Sequence, residues 1–177
     1  MNDMLNDNGI KSHLVQVIDN NDIDREVHKY KPTDVIIEAI WVVPEKFKVL
    51  AKLHPNVHWI IRLHSEMPFI ANEGTAMDWV FGYSELSKHL NISIAPNTEK
   101  MFHDLKAIGI KNLIFLPNYY PTTHHKFEKH PAKKHIDIGC FGAIRPMKNQ
   151  LIQAVAAIEF GNQIGKHIKF HINSERV

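Results

Sequence analysis

Between Ile136 and Ile158 an apolar run reaches Gly142, a short loop carries Arg145 and Lys148, and an almost wholly apolar stretch begins at Asn149. Read as strand, loop and helix, this places both cations over a helix N-terminus. The N–H groups and the dipole there favour an anion. Paired positive side chains at such a point suit a ligand with more than one negative charge, such as a diphosphate. Gly142 lacks a Cβ, so the backbone can approach a ligand closely. The plainer reading is an ordinary connection with surface cations. The position of the charges at the helix start favours the anion site.

A second group of polar side chains, Arg62, His64 and Glu66, follows the apolar run Val57 to Leu63. In open α/β sheets, ligands bind outside the carboxyl ends of the strands, which is where these residues fall. The competing reading is a surface turn closed by an Arg62–Glu66 salt bridge. His124, His125, His130 and His135 lie in a Lys-rich stretch with no cysteine and only Glu128 nearby. Zinc sites need fixed spacing on ordered elements, so a solvated, partly cationic linker is the better account and no metal is expected. Trp41, Trp59 and Trp79 sit in or beside apolar segments and read as core. Cys140 lies within an apolar strand and reads as a small core residue.

The elements that must carry these groups alternate along the chain. Strands are expected at 12–18, 34–38, 57–63, 92–95 and 112–116, with helices at 22–30, 44–53, 75–90 and 98–108. Pro44 opens one helix, Asn97 or Thr98 caps another, and Gly109 stops it. Met101, Phe102, Leu105 and Ile108 form that last helix's apolar face. The strands show no polar alternation, which fits parallel strands with helices on both faces of the sheet. Residues 117–135 hold Pro117, Pro121 and Pro131 and no apolar periodicity. A further strand, helix and strand follow at 136–141, 149–164 and 167–172. The reading is a domain at 1–121, a linker at 122–135, and the start of a second domain at 136–177.

The chain has 177 residues, 44% hydrophobic and 23% charged, which suits a globular protein with a core. A net charge of +2 and the lack of a basic block with interleaved aromatics give no case for nucleic acid. No apolar run reaches transmembrane length, and the polar N-terminus is unlike a signal peptide. One cysteine excludes an internal disulfide and fits a cytoplasmic setting. No G-x-G-x-x-G follows any strand, which argues against a Rossmann oxidoreductase.

Four segments, in order, resemble the retaining GT-B glycosyltransferases, the sucrose-synthase-like and glycogen-synthase-like group. Lys31-Pro-Thr-Asp34-Val-Ile-Ile is similar to the family's "kPDvi" strand entry. Ile60-Ile-Arg-Leu-His64-Ser is similar to the strand that ends in an acceptor-side histidine. Phe115-Leu-Pro117-Asn118-Tyr-Tyr resembles the "vIPNGvD" exit from the first domain. Phe141-Gly142-Ala-Ile-Arg145-Pro-Met-Lys148-Asn149 resembles the "fvGRlxpeKn" opening of the donor-binding domain.

The resemblance implies a Rossmann-like parallel-sheet domain followed by part of a second, and transfer of a sugar from a nucleotide-diphosphate sugar to an acceptor. It implies a metal-independent reaction without a cofactor, in which positive side chains stabilise the departing diphosphate. Gly142, Arg145, Lys148 and Asn149 would hold the donor, with Lys148 foremost. His64 and Glu66 would be catalytic, and Arg62 and Asn118 would lie on the acceptor side.

Departures from the family pattern are visible. Ala143 stands where the family has arginine, and Tyr119 and Pro121 replace a glycine and an aspartate. A strand and a glycine-rich loop before Lys31, and the ribose-holding carboxylates beyond Val177, are expected of the family and missing here. An inactive, truncated relic that works by binding or self-association is therefore the alternative. The apolar positions Leu151, Val155 and Ile158 lead to the expectation of a homo-oligomer.

Overall fold

The computed structural model describes residues 1–121, 133–142, 144 and 148–173. The chain divides into two compact units, Met1–Tyr120 and Pro121–Val177. The expected linker histidines His124, His125 and His130, and Arg145 of the loop, lie outside the described residues.

The first unit has helices α1 (Asn2–Asp7), α2 (Asp22–Tyr30), α3 (Pro44–Leu53), α4 (Met67–Asn72), α5 (Ala76–Leu86) and α6 (Glu99–Ala107). Its strands are β1 (Asp34–Glu38), β2 (His58–Leu63) and β3 (Ile92–Pro96), all parallel, in the order β1-β2-β3. Beyond β3 the chain pairs once more, through an Ile94–Leu113 bridge. Ile114 N donates to Ile94 O at 3.0 Å and Leu116 N to Pro96 O at 3.1 Å, which carries Pro117 and Asn118 to the carboxyl end of the sheet.

Sequential strand order is what right-handed crossovers produce, and such crossovers put their helices on one side. The core follows this rule. Trp59, Ile61, Leu63, Ile92 and Ile94 pack with Ile23 and Val27 of α2, Phe47 and Leu50 of α3, Val80 and Tyr83 of α5, and Met101 and Leu105 of α6. These helical pairs are spaced three or four residues apart, as one buried face requires. Pro44 starts α3 and sits so close to α5 that a Cβ on Gly82 would lie 2.8 Å from its Cγ. Thr98 caps α6 by accepting from Met101 N at 3.1 Å.

Several expectations need correction. Residues 12–18 form no strand; Leu14 is 82% exposed and Ile18 99%, and without a paired neighbour the ladder's hydrogen bonds are lacking. The helix expected over 75–90 is α5, preceded by a separate α4. Residues 112–116 give a single bridge rather than a full strand. The helical cover on the second face is slight: Met1, Met4 and Leu5 line a cavity of about 240 Å³ with Ile36, Leu116, Pro117 and Asn118. Trp41 is 39% exposed, and Ile108 is exposed at the end of the α6 face.

The second unit pairs β4 (His135–Cys140) with β5 (His167–Ile172) in parallel, joined by α7 (Gln150–Ile164). Gly165 ends α7 in the left-handed conformation at φ 63°. Ala157 and Gly161 are its buried residues, and a Cβ on Gly161 would lie 2.5 Å from Ile168 Cγ1. The fold class is α/β with small parallel sheets. No described helix is long and apolar enough to cross a membrane.

Candidate functional site

Arg62 organises the carboxyl end of the first sheet. It lies on the face of β2 opposite Ile61 and Leu63 and is 6% exposed. Its Nη1 donates to Glu38 Oε2 at 3.0 Å and Oε1 at 3.3 Å. Nη2 donates to Asn118 Oδ1 at 2.6 Å and Pro117 O at 3.4 Å, and Nε to Leu116 O at 3.4 Å. A planar guanidinium can satisfy a carboxylate and several carbonyls at once, which makes a buried charge tolerable.

His64 joins this group. Its Nε2 pairs with Glu38 Oε2 and stands 3.5 Å from Arg62 Nη1. The ring is 44% exposed and Glu38 46% exposed, so the Glu38–His64 pair faces solvent while Arg62 supports it from beneath. Asn118 extends the group outward: its Nδ2 donates to Tyr120 Oη at 2.9 Å, and its Oδ1 also accepts from Asn97 Nδ2 at 3.4 Å.

The backbone is strained at this point. Ala39, directly after Glu38, has φ 69°, and its N–H donates to Arg62 O at 3.0 Å. A left-handed non-glycine residue costs about 1–3 kcal/mol, and such residues gather at functional sites. The turn at Ala39 ends β1 immediately after Glu38, the register partner of Arg62.

The structure thus brings Arg62, His64 and Asn118 together and adds Glu38. Sequence reasoning missed Glu38, although its signal was present as a carboxylate at the last residue of an apolar strand. The Arg62–Glu66 salt bridge of the competing reading does not form; Arg62 pairs with Glu38. Glu66 instead accepts a hydrogen bond from Thr98 Oγ1 at 2.7 Å, near the start of α6. Its other oxygen, Oε2, is buried without a hydrogen-bond partner.

In the second unit Gly142 has φ 125°, a conformation that suits glycine, and open space where a Cβ would stand. Its N–H donates to Asn173 Oδ1 at 3.1 Å. Asn149 is the N-cap of α7 at φ 52°, ψ 34°, a left-handed cap without a side-chain capping bond. Lys148 is exposed, and its carbonyl accepts from Gln153 Nε2 at 2.7 Å. Lys148 and Asn149 therefore flank the first turn of a helix of 15 residues.

Comparison with family models, with curated proteins and with solved structures finds no match to this chain. The functional reading rests on the geometry of these groups.

Proposed function

We propose that this chain is a GT-B-like glycosyltransferase that uses a nucleotide-diphosphate sugar and needs no metal or cofactor. The observation that carries the reading is the buried Arg62 holding Glu38, His64 and Asn118 at the carboxyl end of a parallel sheet. On this reading the Glu38–His64 pair meets the acceptor hydroxyl, and the neutral or protonated state of His64 governs which proton it can exchange. Glu66 supports α6 through Thr98 and acts at a distance from the reacting atoms. Lys148 and Asn149, with Gly142 and Arg145, bind the donor diphosphate, where cations and helix dipole offset the charge that grows on the leaving group.

A second reading is favoured by α7, on which Leu151 is 78%, Val155 59% and Ile158 60% exposed. Those side chains support self-association, most simply as a two-fold dimer, with binding in place of transfer.

The test is calorimetric titration of UDP and GDP into the wild type and Lys148→Ala at two salt concentrations. A charge-assisted contact is worth about 1.5–3 kcal/mol, so the variant should bind about tenfold more weakly or worse. Equal affinity in both proteins, or affinity indifferent to salt, would remove the diphosphate from this loop. No binding by the wild type would leave the self-association reading, which light scattering then tests.

A further inference from the structure

The same sheet face that bears Arg62 carries a second hydrogen-bonded line at its opposite, amino end. Asp34 and His58 are register partners on β1 and β2, and Ser93 lies one strand further on, beside Ile60. His58 Nδ1 stands 2.9 Å from Asp34 Oδ1, and His58 Nε2 stands 2.8 Å from Ser93 Oγ. Thr33 Oγ1 donates to the other Asp34 oxygen at 2.7 Å. That bond and the imidazole hold the Asp34 carboxyl below its ordinary value.

An ionised carboxylate can only accept, so a neutral His58 places its proton on Nδ1 toward Asp34. Nε2 then presents a lone pair to the Ser93 hydroxyl. This is the order of contacts that activates a serine: nucleophile, base, and a carboxylate that fixes the base's tautomer. The His58 side chain is 27% exposed and Asp34 54%, so small solutes have access from this side.

We propose that Ser93 is a nucleophile, activated by His58 and oriented through Asp34, that accepts acyl groups from small activated esters. Ser93 Oγ attacks the ester carbonyl carbon while its proton passes to His58 Nε2. The bond from that carbon to the alcohol oxygen breaks, and the alcohol leaves with the proton from His58. Water then attacks the acyl-serine by the same base, releasing the acid and restoring the hydroxyl.

The fold sets the substrate class. Ser93 lies within a strand, where the ladder engages backbone N–H groups, so the developing oxyanion depends on side chains. Asn91, just before β3, is the side-chain amide placed closest in sequence, and its Nδ2 makes only a long 3.5 Å bond to Val57 O. Esters with good leaving groups need the least oxyanion stabilisation, which points to aryl esters over amides.

The experiment is stopped-flow release of p-nitrophenol from p-nitrophenyl acetate by the full chain, with the adduct located by peptide mass mapping. The expected result is a burst near one equivalent and acetyl on Ser93. Ser93→Ala should abolish the burst, and His58→Gln should slow it by about 10²-fold or more. Asp34→Asn should slow it while leaving Ser93 the labelled residue. Mapping on the wild type needs no variant to fold. Acetyl found only on lysines or the N-terminus, no adduct at all, or a burst unchanged in Ser93→Ala would overturn the proposal and reduce the line to a polar tie between strands.

Discussion

β2 and α7 are both rich in apolar residues, and their fates are opposite. Every residue of β2 from Trp59 to Leu63 is buried, whereas in α7 only Ala157 and Gly161 are. The difference lies in what covers them. β2 is the middle strand of its sheet, beside five helices that share one core. α7 packs on a two-stranded sheet, which is too small to cover an element that is apolar on several sides. Apolar content alone does not make a core; neighbours do. The first unit therefore fixes Arg62 and His64 by packing. The second fixes Gly142 and Lys148 by backbone conformation and polar ties.

This contrast predicts where mutations act. The largest effect should be Phe47→Ala, since Phe47 is fully buried between Trp59 and Tyr83 at centroid distances of 5.9 and 5.6 Å. It should cost about 3–5 kcal/mol in denaturant melts of the first unit. Leu151→Ala, on exposed α7, should change stability by less than about 0.5 kcal/mol. Similar losses at both positions would erase the contrast.

Glu38→Gln tests the charged group of the first unit. It leaves Arg62 buried with its bonds to Asn118 and the 116–117 carbonyls but without a counter-charge. A hydrogen bond between charged groups is worth about 1.5–3 kcal/mol, and the glutamine keeps an acceptor oxygen but loses the charge. Glu38 is 46% exposed, so the lower end is expected, about 1–2 kcal/mol, by chemical denaturation.

Gly161→Ala probes the helix–sheet packing of the second unit. Its Cβ would lie 2.9 Å from the Lys166 carbonyl oxygen as well as against Ile168. Backbone cannot yield as a side chain can, so a loss of about 1–3 kcal/mol should appear as weakened amide protection in α7 and β5. An alanine tolerated without change would mean the helix rides freely over its sheet.

The smallest effect concerns pH. Asp137 is hydrogen-bonded first by Lys133 at 2.7 Å and then by His171 at 2.8 Å, which hold its carboxyl well below the ordinary carboxylate range. A folded-state value below the unfolded one, about 3.9, gives stability that is present above that pH and lost as pH falls below it. Asp137→Asn should flatten this acid-side slope in the second unit and leave the first unit's melt unchanged. A slope that persists in the variant would assign it to other carboxylates.

Much of this frame was legible in the sequence, because strands β1 to β3, α3 and the β4–α7–β5 unit carry strong local patterns. Pro44, Thr98 and Gly109 mark helix ends through their own backbone and capping chemistry. What could not be read was pairing. The run at 12–18 has strand composition, yet among the described residues no strand pairs with it, so Leu14 and Ile18 stay exposed while Val17 only packs against the edge of the core. Arg62 showed itself as a charge at a strand end, but its partner sits 24 residues earlier and is set by parallel register. Glu66 is nearer in sequence and turns instead to Thr98. The Asp34–His58–Ser93 line escaped for the same reason, since only the sheet brings its members together.

The proposal that this chain transfers a sugar from a nucleotide-diphosphate donor is tested most directly by turnover. The measurement is release of nucleoside diphosphate from a panel of UDP- and GDP-sugars by the wild type, His64→Ala and Lys148→Ala. Release by the wild type from at least one donor, reduced about tenfold or more in each variant, is the predicted result. Release that is equal in all three proteins, or absent from the wild type with every donor, would contradict it.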